Sequence, residues 1–181
     1  MSATPGGEPL QPLRAVTESA AGTKELAAAL ARLVQAGDVV LLAGDLGAGK
    51  TAFAQGFAAG LGVDGPVTSP TFALVRHYRC GPGSPVHTLI HADVYRTGSV
   101  AEVADLALSE LVEEDAVALV EWGDKAAPAL GDSVLEVTLA ASEPLSDPGS
   151  RTVSVMGRGR WSERAGEVAV VLEPVGGRAA R

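Results

Sequence analysis

Apolar residues recur at helical spacing through Leu26, Leu30, Leu33 and Val34, which predicts a first helix over about 23–36 with Thr23 as its N-cap. After Asp38 the pattern changes. VVLLA (39–43) is a short unbroken apolar run, the pattern of a strand buried on both faces. Helical spacing returns from Thr51 to about Leu61, with Phe53, Phe57 and Leu61 on one side. Ser69-Pro70 interrupts it, because the residue before a proline disfavours helix. Phe72 to Tyr78 and Val86 to Ala92 read as strands flanking the turn GPGSP (81–85), so an antiparallel hairpin is expected. Ser99 and Glu102 form a capping box that opens a helix running to about Glu113 through Val103, Leu106, Leu108 and Leu111. AVALV (116–120) is a second buried strand. VLEVTL (134–139), RTVSVMG (151–157) and EVAVVL (167–172) read as alternating strands, with SEPLSDPGS (142–150) as a long turn. Residues 1–14 and 174–181 lack periodicity and are expected as flexible tails around one domain, 15–173.

Between the first buried strand and the second helix stands GDLGAGKT (44–51), which fits G-x-x-x-x-G-K-[ST]. The motif follows a strand and opens a helix, as its mechanism requires. Glycines let backbone N–H groups turn inward around phosphate oxygens, and the helix N-terminus adds a favourable dipole. Lys50 reaches the β- and γ-phosphates and the Thr51 hydroxyl coordinates Mg²⁺. The fold class implied is α/β: a P-loop NTPase-like three-layer fold with a mixed, partly parallel sheet.

Hydrolysis or transfer also needs a carboxylate at the end of a neighbouring strand. Two strands end that way, HTLIHAD at Asp93 and AVALVE at Glu121. Both are expected at the C-terminal edge of the sheet, where α/β proteins bind ligands. The chain contains no asparagine, so the guanine-reading N-K-x-D is absent and ATP is favoured over GTP.

Composition narrows the class. Formal net charge is −8, with 22 acids against 14 bases. Such a surface is poorly suited to gripping a nucleic-acid backbone, so no strong direct nucleic-acid binding is expected. No apolar run reaches membrane-spanning length and the N-terminal segment lacks a signal-peptide core, so no membrane role is expected. The single cysteine, Cys80, has no partner for an internal disulfide and fits a reducing, cytoplasmic setting.

Other residues allow two readings each. Ser69-Pro70-Thr71 is a nucleotide-sensing loop or a rigid turn. Arg96 stabilises phosphoryl charge or makes a structural ion pair. Trp122 is an apolar anchor or a partner contact. His91 lies two residues before Asp93 on the same strand face, with no His or Cys at ligand spacing to support a metal role.

GDLGAGKT, SPTF, HADVYR and VEW, in that order, resemble the bacterial TsaE (YjeE) family, and the match spans Gly44 to Trp122. The upstream helix with Thr23 is also similar. The resemblance implies a small ATPase needed to make threonylcarbamoyladenosine at adenosine 37 of tRNA, with TsaD and TsaB as partner proteins and ATP/ADP and Mg²⁺ as cofactors. It implies that the ATPase supports or resets the TsaD–TsaB complex. It implies that Leu46, Gly47, Ala48, Gly49, Lys50 and Thr51 bind phosphates, that Thr51 and Glu121 hold Mg²⁺, and that Lys50, Asp93 and Glu121 serve hydrolysis. Residues around 18–23 are implied near the adenine. Two departures stand out: Ala52 where the family often has a second hydroxyl residue, and Gly123 where it often has proline.

Two other classes fit the P-loop. One is a small-molecule kinase, although the segment between Arg96 and Trp122 has no arginine for a lid. The other is a nucleotide-switched binding module with negligible hydrolysis.

Overall fold

A computed structural model describes residues 12–70, 75–95, 112, 115–122, 133–141 and 149–173. Its elements are β1 (Leu13–Thr17), α1 (Ala20–Ala31), β2 (Val39–Ala43), α2 (Lys50–Gly60), β3 (Val75–Arg79), β4 (Thr88–Asp93), β5 (Ala116–Glu121), β6 (Val134–Ala141), β7 (Arg151–Gly157), α3 (Arg160–Glu163) and α4 (Ala165–Leu172). The seven strands form one sheet in the order β1-β7-β6-β2-β5-β4-β3. The four central strands, β6, β2, β5 and β4, run parallel. The outer pairings, β1 with β7, β6 with β7 and β3 with β4, are antiparallel. The fold is therefore α/β with a mixed sheet, and its parallel centre carries the P-loop.

β2 shows why its sequence is apolar throughout. Val40 and Leu42 pack in a core shared with α1, α2 and α4, whereas Val39 and Leu41 pack in a second cluster on the other face. Every β2 residue is buried. The two helices on the first face approach closely. A Cβ on Gly56 would lie 2.3 Å from the Lys24 carbonyl oxygen, and one on Gly60 would lie 2.5 Å from that of Ala28. The four-residue glycine spacing on α2 thus lets it lie against the α1 backbone.

Several expectations shift. Thr23 does not cap the first helix. Ser19 does, accepting from the Gly22 N–H at 3.1 Å. Thr23 lies inside the helix, buried, with its hydroxyl 2.8 Å from that of Thr17 and bonded to the Ser19 carbonyl. The helix ends at Ala31. There the chain turns, and the Asp38 carboxylate accepts from the Gln35 N–H. Leu13 and Arg14, expected in a tail, are in β1, which pairs antiparallel with β7.

EVAVVL is not a strand but most of α4. Val168 and Leu172 suit both periods, and both are buried. Val170 decides between them: a two-residue repeat would bury it, but it is 65% exposed. Arg164, just before α4, fixes that segment under the sheet. It donates to both Asp38 carboxylate oxygens at 2.8 and 2.9 Å and to the Leu33 carbonyl at 2.7 Å. Its guanidinium also lies 3.8 Å from the Trp161 ring centre.

The hairpin is present, with strands at Val75–Arg79 and Thr88–Asp93. The helix expected over 99–113 falls almost wholly outside the described residues, as do Thr71, Arg96, Gly123 and most of the 142–150 turn.

Candidate nucleotide site

β2 feeds directly into the P-loop. Gly44 has φ +137°, and a Cβ there would lie 2.4 Å from the Leu139 carbonyl oxygen, so only glycine fits the exit from the strand. The Ala48 N–H closes a turn onto the Asp45 carbonyl at 3.1 Å. α2 then starts at Lys50, and its N-cap Gly49 supplies no side-chain hydrogen bond. The first-turn N–H groups of α2 therefore lack a capping side chain, the arrangement that suits an anion. Leu46 is exposed at the loop tip, and the Thr51 side chain is exposed in the first turn.

Lys50 is largely buried. Its ammonium donates to the Gly44 carbonyl at 2.7 Å and the Asp45 carbonyl at 2.9 Å, and it lies 3.8 Å from the centre of the Trp122 ring. A charge this deep needs such partners. All three contacts are with groups at the C-terminal edge of the parallel strands.

The sheet register places the two carboxylates. Asp93 is paired with Glu121 across β4 and β5, and Glu121 is paired with Leu42 across β5 and β2. The acids thus end adjacent strands, β5 directly beside the strand that becomes the P-loop and β4 one strand further out. Each is held. The Asp93 carboxylate accepts from the Ser69 hydroxyl at 3.1 Å and from the Tyr95 N–H at 2.9 Å. One Glu121 oxygen lies 2.9 Å from His91 Nε2 in a fully buried pair. Among the described residues His91 Nδ1 has no hydrogen-bond partner.

Trp122 takes a left-handed backbone conformation, φ +61°, immediately after Glu121. A bulky residue there is strained. The conformation accompanies a ring placed between Lys50 and Tyr95, whose ring centre is 4.7 Å away. Residues 18–21 are exposed at the turn into α1.

The sequence-level signals missed two residues that touch these groups. Ser69 was legible as part of a nucleotide-sensing loop or a rigid turn, but not as the hydrogen-bond partner of Asp93. Arg151 carried no local signal. From the start of β7 its guanidinium donates to the Ala48 carbonyl at 3.0 Å and the Gly47 carbonyl at 3.3 Å. His91 was legible as sharing a face with Asp93 but not as the partner of Glu121, which lies thirty residues away on another strand.

Residues 17–151 match the family model described as threonylcarbamoyl adenosine biosynthesis protein TsaE. The chain is 42% identical over 142 residues to the tRNA threonylcarbamoyladenosine biosynthesis protein TsaE of Streptomyces coelicolor, covering 77% of this chain and 93% of that one. It is 37% identical over 143 residues to the protein of the same name from Treponema pallidum, covering 79% and 99%. Among solved structures, that of Bacillus subtilis YdiB superposes with a TM-score of 0.73 at 29% identity, covering 90% of this chain and 97% of that one.

Proposed function

The chain belongs to the TsaE family, and from that premise we propose that it is a P-loop ATPase acting as an accessory subunit in the threonylcarbamoyladenosine modification of tRNA. Its partners in this reading are TsaD and TsaB, whose complex it supports or resets by binding and hydrolysing Mg-ATP. The observation that carries the hydrolytic part is the register of β2, β5 and β4. It sets Glu121 next to the strand that leads into Lys50 and Thr51, with Asp93 beside Glu121 one strand further out.

The donor set suits Mg²⁺. Thr51 offers a hydroxyl at the start of α2, and Asp93 and Glu121 offer carboxylates, all hard oxygen donors. Among the described residues no group of three or more His, Cys, Asp or Glu could cage a metal alone. That favours an ion that keeps waters and arrives with phosphates. Thr51 and Glu121 would hold it, and it would neutralise charge on the β- and γ-phosphates.

The chain's own residues supply the rest. The loop from Leu46 to Thr51 receives the phosphates. Lys50 exchanges its bonds to the Gly44 and Asp45 carbonyls for phosphate oxygens. His91 holds one oxygen of Glu121, and Glu121 would serve the cation through its other oxygen. Asp93, fixed by Ser69 and the Tyr95 N–H, orients the attacking water. The acidic surface, formal charge −8, agrees with a protein that leaves the tRNA to its partners.

The test is ATP turnover by the purified chain alone and with TsaD and TsaB, with co-purification measured with and without ATP. Slow turnover alone and a rise of at least tenfold with both partners is expected. No stimulation, or phosphoryl transfer to a small metabolite in place of hydrolysis, overturns the proposal.

A further inference from the structure

We propose that Arg151 is a positioning residue of the nucleotide site, bracing the outer wall of the P-loop so that its inner wall is already shaped for phosphate. The inference rests on the reading of that loop as the phosphate cradle.

The geometry concerns two successive peptide planes. Arg151 Nε donates to the Ala48 carbonyl at 3.0 Å, and Nη2 donates to the Gly47 carbonyl at 3.3 Å. A trans peptide is planar, and its C=O and N–H point in opposite directions. Holding the Ala48 carbonyl outward therefore directs the Gly49 N–H the other way. The Gly47–Ala48 peptide is gripped at both ends, by Arg151 on its carbonyl and by the Asp45 carbonyl on its N–H.

The loop needs such a brace. Gly47 has φ +80° and Gly49 has φ +108°. Glycine reaches these values without strain but gives the chain many alternatives, so an unbraced loop would have to be ordered by the ligand.

Arg151 is itself well anchored. It begins β7 and is paired on both sides, with Thr17 of β1 and Ala141 of β6. Its third nitrogen, Nη1, donates to the Ser150 carbonyl at 2.8 Å. A planar fork reaches two carbonyls on successive peptides in fixed directions, which a lysine ammonium does not. The guanidinium also adds positive charge beside a site for phosphate, in a chain whose net charge is −8.

The test compares the full chain with Arg151→Ala and Arg151→Lys, using calorimetric titration with ATP, ADP and inorganic tripolyphosphate, well below each protein's melting temperature. A brace on the phosphate cradle predicts an affinity loss of about tenfold in Arg151→Ala that is equal for all three ligands. Arg151→Lys should recover part of it. Loss for ATP and ADP with tripolyphosphate binding unchanged would mean that Arg151 touches the nucleoside, and the inference falls. Unchanged affinity for all three in Arg151→Ala also overturns it. Should Arg151→Ala not fold, Arg151→Lys is read alone, with wild-type affinity for all three overturning the inference. A wild-type chain that binds none of the three removes the nucleotide reading itself, a different result from a wild type that binds and variants that bind equally well.

Discussion

The Lys50 ammonium lies 3.8 Å from the centre of the Trp122 ring, linking the P-loop to the residue that follows Glu121. In the proposed site, a phosphate that draws the ammonium away would deprive the indole of its cation neighbour. Trp161 is fully buried against Arg164, at the other end of the strands. Indole emission should therefore change on addition of Mg-ATP in wild type and in Trp161→Phe, and not in Trp122→Phe. A nucleotide-dependent signal that survives in Trp122→Phe would place the reporter elsewhere.

Asp93→Asn and Glu121→Gln keep side-chain size and remove charge beside the P-loop. Single-turnover hydrolysis of bound ATP is expected to fall by about 10²-fold or more in each, with ATP affinity changing only a few-fold. Equal rates in wild type and both variants would mean that the chain uses ATP as a switch ligand and does not cleave it usefully.

Gly56 lies against the backbone of α1, with a hypothetical Cβ only 2.4 Å from Lys24 Cα. Gly56→Ala must push the two helices apart. It is expected to cost about 1–3 kcal/mol, despite the better helix propensity of alanine. Gly166, where a Cβ would meet nothing within 4 Å, is the control. Thermal melts should show a lowered midpoint for Gly56→Ala alone.

Asp38→Ala removes the buried acceptor of Arg164 and leaves a guanidinium largely out of water. The expected loss is about 3–5 kcal/mol, read by denaturant unfolding. Replacing both residues by apolar ones should recover much of it. Asp38→Ala with wild-type stability would show that the α3–α4 segment does not depend on this pair.

Burial raises the Cys80 thiol above its ordinary value of 9.0, and the nearby Asp115 charge adds to this, partly opposed by hydrogen bonds from Ser84 and Leu89. The folded thiol then binds its proton more tightly than the unfolded one. Its stabilising contribution is full below about pH 9 and is lost as pH rises through the folded value. Stability of wild type relative to Cys80→Ala should decline above that pH. Iodoacetamide should react more slowly with the folded chain than with the unfolded one.

Local patterns determined a good deal of this protein. Strand β2 is legible because burial on both faces demands an apolar residue at every position. The P-loop is legible because its glycines, Lys50 and Thr51 are adjacent in the chain. Asp93 and Glu121 are legible as acids that end strands. Periods fail where one set of residues satisfies two of them. Val168 and Leu172 fit both strand and helix, and only the exposed Val170 separates the readings. Capping fails where two hydroxyl residues compete: Thr17 takes Thr23 into the interior and Ser19 becomes the cap. Tertiary structure alone decided the contacts made between distant segments. Arg151 reaches the P-loop across more than a hundred residues, Arg164 reaches Asp38 across 126, and His91 meets Glu121 through the register of two strands. Those pairings depend on strand order, which no local repeat encodes.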